Sequence, residues 1–474
     1  MVFIPPKFIC LSLIKSISGI RGTIGGFPGA NLTPEDIMKF TSAFGHWVIE
    51  TSGQRKVVVG RDARISGQMV NNIVCGTLQS LGIDVVDLGL STTPTVELAV
   101  YDEKAGGGII ITASHNPKQW NALKLLNAQG EFISAKAGEE LLRIAEERSV
   151  EYEDVNSLGS YTTNDTYIDK HIQKILALKM VDVKAIQAKK FKIAIDCVNS
   201  TGGLALPKLL KALGVEEIIE LYTDPTGQFP HNPEPLPENL GDLANTVRKY
   251  NCDLGIAVDP DVDRLALVSE SGEMFGEEYT LVAVADYILS KKKGSTVSNM
   301  SSTRALRDIT EKYGCEYSAS AVGEVNVVQK MKEEKAVIGG EGNGGVIYPE
   351  LHYGRDAMVG IALFLTHLAK SGKTASILRS TYPSYHISKK KIDLDTSVNI
   401  DLLFDEIEKK YSNYEVSTID GVKIQFDKDW VHLRRSNTEP IIRIYAESNS
   451  ETTSDNIANQ IMKDLQNFSS GRNN

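Results

Sequence analysis

Short apolar runs, each followed by a polar loop, recur along this chain. Residues 107–111 are two glycines and three isoleucines, and residues 57–59 are three valines. Runs of this kind lack the alternation of a half-solvated strand and indicate strands buried on both faces in a parallel sheet. After a further strand at residues 85–88, the Thr-Thr-Pro-Thr segment at residues 92–95 supplies a hydroxyl cap and a first-turn proline, which predict a helix start. The resulting β–α–β order predicts an α/β fold.

The same order of strand, polar loop and helix begins at three places. These are residues 56–62, 192–203 and 295–303, and we therefore predict three related α/β modules with mixed sheets. Past about residue 373 the pattern changes to alternating apolar and polar positions, which are typical of half-solvated strands. The carboxy-terminal part should be a small α+β domain, with strands at residues 422–426, 430–433 and 441–446.

The loop after the isoleucine strand carries the first candidate chemistry. It reads Thr-Ala-Ser-His-Asn-Pro at residues 112–117 and should leave the carboxyl end of a central strand, where open α/β sheets bind ligands. Because Pro117 disfavours a helix, we expect an extended loop that presents Ser114 as a nucleophile or phosphoryl carrier. In the alternative interpretation, Ser114 and His115 are turn residues with hydrogen-bonding roles only. A Ser–His hydrolase is disfavoured, because neighbours in an extended loop point apart and no G-x-S-x-G elbow occurs.

Three carboxylates follow another apolar strand at every second position. Asp259, Asp261 and Asp263 stand in the run Asp-Pro-Asp-Val-Asp-Arg. Oxygen ligands at this spacing can converge on one cation, and Mg²⁺ is the natural candidate where a phosphate supplies another ligand. Three carboxylates this close repel one another, and a bound cation would keep all three ionised.

Three other interpretations of this run fit less well. An EF-hand begins Asp-x-Asp-x-Asp, but Arg264 occupies the position that requires glycine. A phosphatase of the haloacid-dehalogenase type also has Asp-x-Asp after a strand, but with Thr or Val where Asp263 stands. A solvated acidic turn explains neither the regular spacing nor the arginine.

Two further loops combine polar side chains with glycine or arginine. Residues 339–345 read Gly-Gly-Glu-Gly-Asn-Gly-Gly, which lets a ligand approach the backbone but lacks the Lys-Ser/Thr of a Walker loop. Residues 434–440 read Arg-Arg-Ser-Asn-Thr-Glu-Pro, and together with Arg443 they offer the donors that a phosphate dianion requires. The simpler interpretations are a flexible turn for the first loop and a surface hairpin turn for the second.

Composition limits the class of protein and its partners. A chain of 474 residues is too long for one core, and its net charge of −10 without an offsetting basic run argues against nucleic acid or an anionic membrane as partner. No apolar run approaches the length of a membrane span. The five scattered cysteines lack C-x-x-C spacing and favour a reducing cytoplasm. Residues 1 to about 12 are interpreted as a ragged extension, for which an upstream start of translation is one explanation.

Taken together, these loops resemble the α-D-phosphohexomutase superfamily, and the likeness covers residues from about 14 to 446. It rests on the motifs at residues 112–117, 259–264, 340–345 and 434–440, with support from Ser-Gly-Ile-Arg-Gly at residues 18–22 and Gly-Arg-Asp-Ala-Arg-Ile-Ser-Gly at residues 60–67. The resemblance implies four domains around a central cleft, with one loop from each. The expected boundaries are residues 13–158, 159–262, 263–375 and 376–470.

The resemblance also implies roles for individual residues. Ser114 would be a phosphoserine in the active enzyme, and Mg²⁺ would lie between its phosphate and the three aspartates. Arg21, Lys124 and His115 would act at the transferred phosphoryl group and its proton. The implied substrate-binding residues are Arg264, Glu341, Asn343, Arg434, Ser436, Asn437, Thr438 and Arg443.

The implied reaction moves a phosphoryl group between the 6- and 1-positions of a hexose phosphate, through a hexose 1,6-bisphosphate that is both intermediate and activator. The Gly-Glu-Gly-Asn-Gly-Gly loop resembles the archaeal-type phosphoglucosamine mutase branch, whereas Ser-Asn-Thr at residues 436–438 favours phosphomannomutase/phosphoglucomutase. We expect phosphoglucosamine mutase activity, with phosphomannomutase/phosphoglucomutase as the alternative. A silent sugar-phosphate sensor and a phosphatase are more distant alternatives. The expected assembly is a monomer or homodimer.

Overall fold

The computed structural model describes residues 11–16, 19–147, 150–393, 399–435 and 441–470. The chain folds as two compact units. One comprises the residues up to Thr280 together with Asn343–Leu378, and the other comprises Leu281–Gly342 together with the residues from Arg379 onward. No helix in the described ranges combines the length and the apolar character that crossing a bilayer requires.

The first sheet has the strand order β1-β2-β6-β5-β3-β4-β7. Strands β3, β4 and β5 run parallel, whereas β6 is antiparallel to β5, so the sheet is mixed. Its strands and helices are β1 (Ile14–Ser16), β2 (Gly19–Thr23), α1 (Pro34–Ser52), β3 (Lys56–Arg61), α2 (Gly67–Ser80), β4 (Asp84–Leu90), α3 (Thr93–Asp102), β5 (Gly107–Ile111), β6 (Trp120–Leu126), α4 (Ala135–Glu147) and β7 (Tyr161–Thr163).

The elements of this sheet form for local reasons that the sequence displays. Every residue of β5 is buried, as the unbroken isoleucine run predicts. Thr92 caps α3 through its side chain, which accepts a hydrogen bond from the amide of Thr95, and Pro94 lies in the first turn. The predicted amino-terminal extension ends before Ser12, which is buried and whose hydroxyl lies 2.6 Å from that of Thr23. Residues 1–10 lie outside the described residues.

The second sheet has the order β11-β10-β8-β9 and is also mixed, because β11 runs antiparallel to β10. Strands β10 and β11 are buried along their whole length, so the loop between them starts and ends in the core. The elements in this part of the chain are α5 (Tyr167–Leu176), α6 (Val183–Lys189), β8 (Lys192–Asp196), α7 (Gly202–Ala212), β9 (Glu217–Leu221), α8 (Gly241–Tyr250), β10 (Leu254–Val258) and β11 (Leu265–Ser269).

The next part of the chain repeats the alternation of helices and strands. Strand β12 pairs in parallel with β13 and with β14. The elements are α9 (Glu277–Lys291), β12 (Thr296–Asn299), α10 (Ala305–Lys312), β13 (Tyr317–Ser320), α11 (Glu324–Glu333), β14 (Ile338–Glu341), β15 (Gly345–Ile347), α12 (Ala357–Ser371) and α13 (Ala375–Ser380).

The carboxy-terminal part is an antiparallel sheet in the order β16-β20-β19-β18-β17, with two helices. The fold class predicted from the sequence, α/β modules with mixed sheets followed by an α+β domain, is therefore confirmed. The elements are β16 (His386–Asp393), α14 (Ile400–Lys410), β17 (Glu415–Ser417), β18 (Val422–Gln425), β19 (Trp430–Arg435), β20 (Ile441–Ser448) and α15 (Glu451–Ser470).

Candidate functional site

The Ser114 loop leaves β5 at its carboxyl end, but its backbone is not extended as predicted. Ser114 lies in the left-handed region with φ of 49°, where a residue other than glycine is uncommon. Its amide donates to the hydroxyl of Thr112 at 2.9 Å, and that hydroxyl donates to Asp62 at 2.7 Å. Because of this turn, the hydroxyl of Ser114 and Nδ1 of His115 are 3.4 Å apart rather than pointing away from each other.

A buried arginine holds the same loop by its backbone. The guanidinium of Arg64, which is 1% exposed, donates Nε–H to Asp62 at 3.0 Å. Its two terminal nitrogens donate to four carbonyl oxygens of the loop and the following strand, those of Ser114, Asn116, Pro117 and Trp120. A planar group with five donors can meet all these acceptors at once, which an ammonium cannot do. Arg64 therefore fixes the position from which Ser114 presents its hydroxyl.

The three aspartates of the acidic run converge, as the sequence predicts. Oxygens from Asp259, Asp261 and Asp263 lie within 4.8 Å of one another, and all three side chains are buried. Between them, Val262 has φ of 63°, a conformation that strains a β-branched residue and turns the chain sharply. The hydroxyl of Ser114 donates to Asp259 Oδ2 at 2.7 Å, so the candidate nucleophile and the acidic cluster form one site.

Cationic and hydroxyl donors face one side of this cluster. Lys124 Nζ lies 2.7 Å from Asp261 Oδ2 and 3.5 Å from Asp263 Oδ2. Arg355 lies 2.6 Å from Asp263 Oδ2, and Thr93 donates its hydroxyl to Asp261 Oδ2 at 2.6 Å. Each of these groups comes from a different element of the first unit, so the packing of several elements is needed to assemble the site.

Burial and charge act in opposite directions on these ionisable groups. Burial, reinforced by the charges of Asp263 and Asp261, raises the pKa of Asp259 well above its usual range. Burial also acts to raise the pKa of Asp261, but Lys124 outweighs it and the pKa is lowered. Correspondingly, burial opposes the charged form of Lys124, but Asp261 and Asp263 raise its pKa. Asp259 thus needs an added positive charge more than Asp261 does.

Whether a cation fits the cluster depends on the carboxylate oxygens that accept no hydrogen bond. Oδ1 of Asp261 and Oδ1 of Asp263 are buried, and neither has a hydrogen-bond partner within the described part of the chain. A buried carboxylate oxygen without a partner costs free energy, and a cation removes that cost. These two oxygens, Asp259 and the hydroxyl of Ser114 form an all-oxygen donor set, which suits Mg²⁺. The residues therefore fit the predicted metal.

Three further predicted residues belong to the same unit. Burial lowers the pKa of Arg21, on β2, and Arg264 lowers it further. Burial also lowers the pKa of His115 to about 2, again assisted by Arg264, so this ring is neutral at neutral pH. Arg264 Nη1 lies 3.1 Å from Glu234 Oε1, and that oxygen is 3.9 Å from Nε2 of His115.

The remaining predicted residues occupy other loops. Asn343, in the first unit, accepts a hydrogen bond from the amide of Gly345 at 3.2 Å. Glu341 belongs to the second unit, where its Oε1 accepts from Asn299 Nδ2 at 2.8 Å and from the amide of Gly323 at 3.2 Å.

The predicted phosphate-binding residues follow β19. Arg434 Nε lies 2.8 Å from Asp420 Oδ2, and Arg443 on β20 is exposed and stands opposite Arg434 in the strand register. Ser436, Asn437 and Thr438 fall in residues 436–440, which lie outside the described residues.

Sequence reasoning missed four residues that support the first-unit site: Arg64, Thr93, Glu234 and Arg355. Thr93 was assigned only to a helix start, Arg64 stands in the motif at residues 60–67 without an assigned role, and Glu234 stands outside the motifs. Arg355 directly precedes Asp356, the N-cap of α12. This position beside a helix cap was the sequence signal that could have singled out Arg355. Their partners are far away in the sequence, and no local pattern reveals such contacts.

Four profiles of one family match successive parts of the chain. They are described as phosphoglucomutase/phosphomannomutase alpha/beta/alpha domains I, II and III and the C-terminal domain, and they match residues 13–151, 165–272, 276–385 and 395–464.

Individual proteins resemble the chain over nearly its whole length. A phosphoglucomutase/phosphomannomutase of Thermococcus kodakarensis is 36% identical over 91% of this chain and 94% of its own. A phosphoglucosamine/phosphogalactosamine mutase of Sulfurisphaera tokodaii is 33% identical over 94% of this chain and 97% of its own. Among solved structures, a phosphoglucomutase/phosphomannomutase family protein of Burkholderia thailandensis is similar with a TM-score of 0.83, at 27% identity and with 97% of each chain covered.

Proposed function

Because this chain belongs to the phosphoglucomutase/phosphomannomutase family of mutases, we propose that it moves a phosphoryl group between the 6- and 1-positions of a hexose phosphate. In this proposal Ser114 carries the phosphoryl group, and a hexose 1,6-bisphosphate is the intermediate. The observation that carries the proposal is the contact of 2.7 Å between the hydroxyl of Ser114 and Asp259, within a buried carboxylate cluster that suits Mg²⁺. A serine against a cation site is a suitable acceptor and donor of phosphoryl groups.

The chemistry divides between the metal and the side chains around it. Asp259, Asp261, Asp263 and Ser114 would hold Mg²⁺, which when bound supplies positive charge next to the transferring phosphoryl group. Lys124, held by two carboxylates, keeps its proton and adds a second positive charge.

The transfer itself balances without a net change in the enzyme. The bond between phosphorus and Oγ of phosphorylated Ser114 breaks as a bond forms to the oxygen of the free sugar hydroxyl, and the proton of that hydroxyl ends on Oγ of Ser114. The bisphosphate then turns over, and its other phosphoryl group returns to Ser114. Arg21, beside the reacting groups in this proposal, stabilises the charge that is spread over the phosphoryl oxygens. His115, whose ring is neutral at neutral pH, lies with Nδ1 3.4 Å from Oγ of Ser114 and can hydrogen-bond a group at the reacting oxygens.

The substrate-binding residues are proposed by family resemblance. Glu341 and Asn343 would bind sugar hydroxyls, and Arg264 would bind the substrate beside the metal. Arg434, Ser436, Asn437, Thr438 and Arg443 would bind the phosphate that is not being transferred. A carboxylate and an amide can hydrogen-bond two neighbouring hydroxyls of a sugar in either of its two orientations, as a reaction with a turning intermediate requires.

For the substrate we propose glucosamine 6-phosphate, converted to glucosamine 1-phosphate. The support is the Gly-Glu-Gly-Asn-Gly-Gly loop and the mutase of Sulfurisphaera tokodaii, whose name includes phosphoglucosamine. The Thermococcus kodakarensis relative, which is named phosphoglucomutase/phosphomannomutase, favours the alternative. A tenfold preference between such sugars corresponds to only about 1.4 kcal/mol of transition-state binding, which one or two contacts can supply.

A substrate panel tests this proposal. The purified chain is assayed with Mg²⁺, catalytic hexose 1,6-bisphosphate and the 6-phosphates of glucosamine, glucose and mannose. We expect kcat/KM for glucosamine 6-phosphate to exceed the others by about tenfold or more. The reverse preference would replace the amino sugar with the alternative substrate. Release of inorganic phosphate faster than isomer formation would indicate a phosphatase, and absence of turnover with an unphosphorylated Ser114 would indicate a sensor.

Arg64 gives a second prediction about the same reaction. In Arg64→Lys, three ammonium donors replace five guanidinium donors, so the Ser114 loop loses part of its backbone support. Displacement of the nucleophile should lower kcat on the order of 10- to 100-fold while KM changes little. Arg143→Lys, an exposed arginine that pairs with Glu140 and Glu147, is the control. A lowered Tm with kcat unchanged at low temperature would show that Arg64 serves stability alone.

A further inference from the structure

A second group of potential metal ligands lies in the first unit, outside the Ser114 site. It consists of His171 on α5, His352, and Asp356 at the start of α12, and we refer to it as the histidine cluster. One ligand atom from each residue lies within 4.8 Å of the other two. None of these residues has a part in the proposed phosphoryl transfer.

The two imidazole rings aim the same type of atom at one oxygen. Nε2 of His171 lies 2.9 Å from Asp356 Oδ2, and Nε2 of His352 lies 3.2 Å from it. The other oxygen of Asp356 caps α12, because Oδ1 accepts from the amides of Met358 and Val359. This cap fixes the carboxylate, so Oδ2 is directed at the two rings.

A hydrogen bond orients the distal nitrogen of His171, whereas the distal nitrogen of His352 has a carboxylate close by without hydrogen-bond geometry. Nδ1 of His171 lies 3.0 Å from the hydroxyl of Thr95, and Nδ1 of His352 lies 3.2 Å from Glu97 Oε2. A carboxylate or hydroxyl on the far nitrogen is the usual way in which proteins position a histidine that binds a metal. Glycine at position 354 allows this arrangement, because a Cβ there would lie 1.9 Å from Glu97 Oε2.

Charge balance in the buried region also needs explanation. Glu97 and Asp356 bring two negative charges into a region where the side chains of Glu97, His171 and Asp356 are at most 1% exposed. One divalent cation with two neutral imidazoles neutralises both carboxylates. Protonation of the imidazole rings would also neutralise the carboxylates, and it competes with metal binding. Burial disfavours the charged ring of His352, but Asp356 and Glu97 outweigh burial and raise its pKa to about 10. A metal and these protons compete for the same Nε2 lone pairs.

We propose that the histidine cluster is a site for one divalent transition-metal ion, with zinc as the fitting member of that class. Two imidazole nitrogens and one carboxylate oxygen form a ligand set that suits zinc, and it differs from the all-oxygen set at Ser114. The ion joins α5 to the start of α12. Metal binding displaces the Nε2 protons, which pass to solvent.

Metal content provides the test, with the full-length chain throughout. The protein is stripped with a chelator, dialysed against zinc in the presence of excess Mg²⁺, and analysed for metal per chain. We expect one equivalent of zinc in the wild type and in Asp261→Asn, and none in His171→Asn or His352→Asn. His386→Asn, at an exposed histidine, is the matched control and should retain the ion. Cobalt in place of zinc should give a visible absorption spectrum that depends on His171.

A second variant keeps the test valid if the histidine substitutions unfold the chain. Thr95→Val keeps the shape of the side chain but removes the outer partner of His171, and zinc affinity should fall about 10- to 100-fold. If zinc is absent from the stripped and dialysed wild type, or is retained in a folded His171→Asn variant, the proposal is wrong. The cluster would then be a proton-bridged network. Either result leaves the proposed mutase activity untested, because the substrate panel depends on Ser114 and the aspartates.

Discussion

Turnover of any hexose phosphate should be lost in Ser114→Ala, with a fall in kcat on the order of 10⁴-fold or more. The reason is that the phosphoryl group would be attached to the oxygen of this hydroxyl. No other residue can take over a covalent step that depends on this position. The hydroxyl also donates to Asp259 at 2.7 Å, but this bond is made to the enzyme and not to the substrate. Substrate binding should therefore change little.

Three measurements separate this outcome from simple damage to the fold. Coupled assays give kcat, calorimetric titration gives the Kd for hexose phosphate, and intact mass after incubation with bisphosphate reports phosphorylation. The wild type should gain the mass of one phosphoryl group and the variant none. Ser157→Ala, which removes a hydroxyl from an exposed residue, should behave as the wild type. Phosphorylation of Ser114→Ala at a level equal to the wild type would falsify the assignment of Ser114.

The second large effect is expected in Asp261→Asn. The substitution removes one negative charge from the cluster and weakens the contacts of Asp261 with Lys124 and Thr93. We expect weaker Mg²⁺ binding and a fall in kcat of about 100-fold, with a smaller rise in KM. Metal and lysine stabilise the transferring group more than the ground state, and so their loss affects the chemical step most.

A titration of activity with Mg²⁺ measures this effect. The half-saturating Mg²⁺ concentration should rise in Asp261→Asn, and part of kcat should return at high Mg²⁺ because the amide oxygen of asparagine is still a ligand. Glu273→Gln removes the same charge from an exposed position of the same unit and is the control. Equal activity of Asp261→Asn and wild type at limiting Mg²⁺ would contradict the proposed metal role.

Much of the fold could be predicted because its signals are local. Unbroken apolar runs such as Ile109, Ile110 and Ile111 fill the buried strand β5, and alternating residues mark the antiparallel strands at the carboxy-terminal end. The backbone geometry of a strand or helix sets the spacing at which side chains reach the core, so the spacing of apolar residues predicts the type of secondary structure. The extended conformation expected for the Ser114 loop was wrong, because the conformation is set by Thr112 and Arg64 and not by Pro117 alone.

The acidic run shows where local inference ends. Its composition predicted a cation site, and the structure shows that the carboxylates of Asp259, Asp261 and Asp263 converge. The pKa of each carboxylate, however, depends on its neighbours: Asp259 and Asp261 shift in opposite directions although they are two residues apart. Lys124 makes this difference, and it arrives from β6, 137 residues earlier in the chain.

The sequence by itself determined which chemical groups this protein has for the proposed phosphoryl transfer, and the order of strands and loops that carry them. Both depend on residues that are close together in the sequence, and the backbone itself restricts the relative positions of such residues. Only the tertiary structure decided that the hydroxyl of Ser114 faces Asp259, that Arg64 supports the loop, and that Arg355 and Lys124 partly neutralise the cluster. Such contacts join distant positions, and their distances follow from how the whole core packs.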